Sequence, residues 1–146
     1  METNKHMKYV KLGRSGLKVS QFSYGNWINC PDEQSAQATA NENVKYAFDH
    51  GINFFDTAEL YGKGLGEKQF GVALKNLGVP RSDYVVSTKI FWGKFADNNN
   101  FVNNFGTSRK RLIEGFNRSL QNLQMDYVDI LFCHRFDEET PTLEVV

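Results

Sequence analysis

Cysteine is scarce in this chain. Cys30 and Cys133 are the only two in 146 residues, too few for a disulfide framework or a thiolate metal site. An excess of charge is missing as well. The 17 basic and 17 acidic side chains cancel, which argues against a nucleic-acid partner held by bulk electrostatics. No apolar run approaches the ~20 residues that span a bilayer. The start, Met1-Glu2-Thr3-Asn4-Lys5-His6-Met7, has no apolar segment of the signal-peptide kind. His6 and His50 stand remote from His134, and no acidic cluster has metal-ligand spacing, so no metal is expected. The expectation is a cytoplasmic protein in a reducing compartment that does not span a membrane.

Core material is plentiful. Apolar residues make up 40% of the chain, with twelve Phe, six Tyr and two Trp, enough for one ordinary domain. Residues 1–7 are polar and expected to be a disordered tail. Lys8-Tyr9-Val10-Lys11-Leu12 and Leu17-Lys18-Val19-Ser20 alternate around Gly13 to Gly16 and predict a hairpin. A first core strand is expected from Gln21 to Tyr24, stopped by Gly25. Strands are also predicted over Ile52 to Phe55, Tyr84 to Thr88 and Tyr127 to Cys133. Between them, helical spacing predicts three helices. The first opens at Asp32-Glu33, with Ala36, Ala40, Val44, Ala47 and Phe48 on its apolar face. The second runs from Glu67 to Leu77. The third is capped by Thr107 or Ser108 and buries Leu112, Ile113, Phe116, Leu120 and Leu123. Pro141 starts a further helix. Strands that alternate with helices imply a parallel sheet with helices outside it.

Polar residues stand at the ends of the buried runs. Asp56 follows Phe55, Tyr61 is five positions on, Lys89 follows Thr88, and His134 follows Cys133. In barrels of parallel strands the catalytic groups sit at strand ends. A carboxylate beside an ammonium, both partly desolvated, holds the lysine charged and fixed. A cation next to a phenol favours its phenolate, and such a phenol can protonate a carbonyl oxygen. Each residue also has a plainer reading: Asp56 as a turn cap, Lys89 as a solvated amine, His134 as a structural imidazole. Trp27 and Trp92 follow strands one and three, where they could wall an apolar pocket or serve as core. Gly62-Lys63-Gly64-Leu65-Gly66 lacks both phosphate-loop and dinucleotide spacing and reads as a compact turn after Tyr61. Arg109-Lys110-Arg111 occupies a first helical turn, against the dipole, and reads as a solvated face.

Asp56-Thr57-Ala58-Glu59-Leu60-Tyr61-Gly62, the Ser87-Thr88-Lys89 strand end and His134 together resemble the aldo-keto reductase signature, in blocks running from about Tyr9 to the last residue. Thr88-Lys89-Ile90-Phe91-Trp92-Gly93, Ser108-Arg109-Lys110 and Tyr127-Val128-Asp129 resemble the β-subunit-like branch associated with voltage-gated potassium channels. The resemblance implies the N-terminal half of a TIM (β/α)8 barrel, with an N-terminal β-hairpin and four parallel strands alternating with helices. It implies that residues 8–146 are an NADP-dependent oxidoreductase domain, incomplete at its C-terminus, since the full barrel takes ~250 residues. It also implies NADPH and reduction of a small aldehyde or ketone. Tyr61 would be the proton donor, tuned by Asp56 and Lys89, with His134 orienting the carbonyl and the cofactor carboxamide. Asn26, Trp27, Asp56 and His134 would meet the cofactor, and Trp27 and Trp92 the substrate. The loops holding the rest of the dinucleotide would belong to strands five to eight. The same resemblance implies an alternative, a redox-sensing regulatory subunit bound to a channel's cytoplasmic domain; a further alternative is an inactive truncated fragment. Full-length relatives would be homo-tetramers. Animal channel subunits often carry Asn where this chain has His134, so the histidine favours the enzyme-like relatives.

Overall fold

The computed structural model describes residues 7–27, 33–93 and 102–146. Residues 1–6 of the expected tail, Cys30 and the first helix's opening Asp32 lie outside the described residues.

A hairpin comes first. β1 (Tyr9–Lys11) pairs antiparallel with β2 (Lys18–Ser20), with Val10 opposite Val19. Four strands then alternate with helices: β3 (Tyr24–Gly25), α1 (Glu33–Asp49), β4 (Phe54–Asp56), α2 (Leu65–Asn76), β5 (Val85–Ile90), α3 (Arg109–Leu123), β6 (Ile130–Cys133) and α4 (Thr142–Val145). The four strands form one sheet in the order β3-β4-β5-β6, every neighbouring pair parallel. This is the expected α/β arrangement.

The helices pack on one face of the sheet, where the core lies. Phe55 and Val86 from the strands meet Ala40, Val44 and Ala47 of α1, Phe70, Ala73 and Leu74 of α2, and Leu123 of α3. Phe55 and Phe70 meet edge to face with ring centroids 6.0 Å apart. α2 and α3 approach so closely at Gly71 that a Cβ there would lie 2.0 Å from the Leu123 carbonyl oxygen. Only glycine lets the two backbones come that near. Gly51, at φ +90°, turns the chain out of α1 into the next strand.

Several sequence expectations shift. The first core strand lies at Tyr24–Gly25, because Gly25 pairs with Asp56 instead of stopping the run. β4 likewise extends through Asp56, whose side chain is held in place across the sheet. α2 begins at Leu65, two residues earlier than expected, with Gly64 as its left-handed cap. β5 extends through Lys89 and Ile90, so Lys89 sits inside the strand; hydrogen bonds to its ammonium remove any need for solvent. β6 begins at Ile130. Before it, Tyr127 lies under the Arg81 guanidinium at 4.1 Å, and the Asp129 carboxylate binds Arg81 and the Val86 N–H. In α3 the buried row is Arg111, Gly115, Ser119 and Leu123, an i, i+4 series. Ile113 stands two residues from Arg111, about 200° around the helix, and is 55% exposed. Its expected inward position is therefore corrected. The solvated-face reading of Arg109-Lys110-Arg111 is corrected at Arg111, which is buried.

Candidate active site

Parallel register places the site residues. Asp56 pairs with Ser87 and Lys89 with Phe132, so their side chains project from the face opposite the helices. Beyond β4 the chain keeps running beside β5: Thr57 N–H donates to Ser87 O at 3.0 Å and Glu59 N–H to Lys89 O at 3.3 Å. Beyond β6, His134 N–H donates to Ile90 O at 3.0 Å. The strand ends thus extend as ordered backbone to the positions that matter.

The Lys89 ammonium is the hub. It donates to Asp56 Oδ2 at 2.5 Å, to the Thr57 carbonyl at 2.8 Å and to the Tyr61 hydroxyl at 3.5 Å. An ammonium has three N–H groups, and these three acceptors match them. Asp56 Oδ1 accepts from Ser87 Oγ at 2.5 Å, so both carboxylate oxygens are engaged. The Asp56 and Lys89 side chains are 26% and 17% exposed, mostly shielded from water. A desolvated cation therefore stands beside a phenol with little freedom to move.

Tyr61 heads a short turn before α2. Gly66 lets it sit there, since a Cβ at Gly66 would lie 2.9 Å from both the Tyr61 carbonyl oxygen and its Cβ. This agrees with the compact-turn reading of the glycine-rich segment. The Tyr61 ring lies between Trp27, 6.4 Å away by centroids, and His134, 6.2 Å away and edge-on. Trp92 also meets His134 edge-on, with ring centroids 6.5 Å apart. His134 Nδ1 is buried without a hydrogen-bond partner among the described residues. Burial pushes the imidazole pKa below its ordinary value, and the Lys89 and Arg135 charges push it further; Glu59 and Asp56 partly oppose them. A neutral ring at neutral pH can donate from one nitrogen and accept at the other.

Of the expected site residues, Asp56 and Tyr61 bond the Lys89 ammonium, Trp27 and His134 meet the Tyr61 ring, and Trp92 meets His134. Asn26 is buried and donates its amide to Gly66 O at 2.8 Å, beneath the Tyr61 turn. Trp27 is 70% exposed and flanks Tyr61. An open cleft of about 360 Å³ beside the hub is lined by Ser23, Phe54, Asp56, Lys89, Phe132, Cys133 and His134. Its apolar walls are Phe54 and Phe132, not the two tryptophans. Sequence reasoning gave no role to Ser87, which fixes Asp56, or to Glu59 and Arg111, which form a buried ion pair behind Tyr61. One signal for Arg111 was available: a cation in a helix's first turn opposes the dipole and calls for a partner elsewhere.

Comparison with known proteins bears on this geometry. The profile of the Aldo/keto reductase family matches residues 21–146. The chain belongs to this family. A protein of Oryza sativa subsp. japonica described as "Probable voltage-gated potassium channel subunit beta" is 48% identical over 143 residues, covering 96% of this chain and 41% of the relative. One of the same description from Arabidopsis thaliana is 46% identical over 140 residues, covering 96% and 41%. The chain thus spans about two-fifths of the length of these curated relatives. As a family member it shares the α/β barrel architecture over the portion it covers. The described helices include none long and apolar enough to cross a membrane.

Proposed function

We propose that this chain carries the proton-transfer half of an NADPH-dependent carbonyl reductase site. The observation that carries the reading is the hydrogen-bonded series Ser87–Asp56–Lys89–Tyr61. It holds one phenol against a fixed cation, and that cation and its carboxylate line an open cleft. Tyr61 Oη gives its proton to the carbonyl oxygen of an aldehyde or ketone. Lys89 holds that hydroxyl and stabilises the phenolate left behind. Asp56 holds Lys89, and Ser87 holds Asp56. His134, neutral and with an unused buried nitrogen, orients the carbonyl oxygen and a carboxamide. That unused nitrogen and the cleft beside it fit the nicotinamide end of NADPH, with Asp56, His134 and Trp27 as the residues that would meet it. Asn26 would support that end from beneath the turn. When bound, the reduced nicotinamide supplies the hydrogen and electron pair that the carbonyl carbon gains. Trp92, beyond His134, would border the substrate. Residues 8–146 are on this reading one oxidoreductase domain, working in the cytoplasm.

The test uses this chain joined to the C-terminal half-barrel of a plant relative. NADPH deuterated at the transferring carbon should place deuterium on the carbinol carbon of the alcohol formed from a small aldehyde. Alcohol free of deuterium would sink the reading.

A second reading is favoured by the printed descriptions of the relatives, which are channel β subunits. On it the chain is part of a regulatory subunit that rests on a channel's cytoplasmic domain, as a tetramer, and senses redox state through NADPH. Co-purification with such a domain, and turnover too slow to matter, would favour this reading over the enzyme.

A further inference from the structure

Glu59 lies between Asp56 and Tyr61 in the chain and points away from the cleft. Its side chain is 8% exposed and that of its partner Arg111 only 4%. Glu59 Oε1 accepts from the backbone N–H of Phe91 at 2.7 Å and of Gly93 at 3.1 Å, the residues on either side of Trp92. Glu59 Oε2 takes the Arg111 Nη2 hydrogen bond. Arg111 Nε donates to the Asn104 carbonyl at 3.1 Å. One carboxylate and one guanidinium therefore tie together the segment after β4, the segment after β5, the approach to α3 and α3 itself.

Two glycines make the slot. A Cβ at Gly115 would lie 1.9 Å from Arg111 Nη1, and one at Gly93 would lie 1.8 Å from the Asn104 carbonyl oxygen. Apolar side chains of similar volume could fill such a space at no loss of stability. They could not bind two backbone N–H groups and a guanidinium at once. What the ion pair adds over an apolar filling is position.

We propose that Glu59 and Arg111 are positioning residues that lock the Tyr61 segment and the Trp92 segment into one unit, so that phenol and indole, which both meet His134, keep a fixed relation. What this unit serves rests on the carbonyl-reduction reading; the lock itself does not.

The experiment reads the lock without turnover. Trp27→Phe leaves Trp92 as the single indole of the chain. In that background Glu59→Gln should roughly double the acrylamide quenching of Trp92 and red-shift its emission, by freeing the segment locally. Gly115→Ala, which crowds Arg111 out of its slot while leaving the carboxylate in place, should shift both signals in the same direction. Leu123→Ala, a core variant away from the lock, should lower stability and leave Trp92 unchanged. Unchanged quenching in Glu59→Gln, or an equal change in Leu123→Ala, would overturn the proposal. If Glu59→Gln does not fold, Gly115→Ala decides it: unchanged Trp92 quenching there overturns it. Loss of the lock with normal carbonyl reduction would leave the enzyme reading standing. An intact lock in a chain that reduces nothing would reverse that outcome.

Discussion

At the residue scale, the hub of the site was legible because its chemistry is local to strand ends. Asp56, Lys89 and His134 follow buried runs, and parallel strands deliver such residues to one rim. The Glu59–Arg111 pair was not legible. Its partners are 52 positions apart, and a basic run at a helix start reads as solvated until the fold closes over it. Breaking a pair buried this deeply leaves an uncompensated charge, so Arg111→Met should destabilise the protein by about 3–5 kcal/mol, measured by urea denaturation. His134 makes a second prediction. Its folded-state pKa lies below the ordinary 6.5, so below that pH the unfolded chain takes up a proton that the folded chain refuses. Stability should therefore fall as pH drops below about 6.5 and level off once the folded imidazole also protonates. His134→Gln should flatten that slope; an unchanged slope would show that another group sets it.

At the element scale, the sequence pattern found the strands and α-helices of the described residues but misplaced their ends and missed the helical turn at Arg81–Asp83. Ends are decided by side-chain hydrogen bonds that join distant elements. Asp129 shortens β6 by binding Arg81 and Val86, and Lys89 lengthens β5 by binding Asp56. The Ser108 cap was legible, since an N-terminal hydroxyl has a local job: it accepts from Arg111 N at 3.3 Å. Ser108→Ala should cost about 1 kcal/mol, read as a lowered urea midpoint at unchanged slope. The α2–α3 approach at Gly71 was hidden, because a glycine within a helix gives no sign of what it faces. Gly71→Ala would drive a methyl into the Leu123 backbone. A loss of at least ~1–3 kcal/mol is expected, more than helix propensity returns. A neutral or stabilising outcome would mean that the helices can separate without strain.

At the scale of the whole molecule, the sheet is open. Among the described residues β3 and β6 are its edges, and β6 presents Leu131 and Phe132 at 42% and 41% exposure. An unpaired strand with apolar side chains invites association. The chain should elute larger than a monomer as its concentration rises, and Phe132→Lys should restore monomer. The parallel sheet with its helices was legible from the strand–helix alternation, and the half barrel only through the family resemblance carried by the order of its motifs. The central claim is that Tyr61 delivers the proton. The most direct measurement compares wild type with Tyr61→Phe, each joined to a relative's C-terminal half-barrel, for steady-state aldehyde reduction and NADPH affinity. The account predicts a kcat loss of about 100-fold or more with cofactor affinity unchanged. Wild-type turnover in Tyr61→Phe would contradict it.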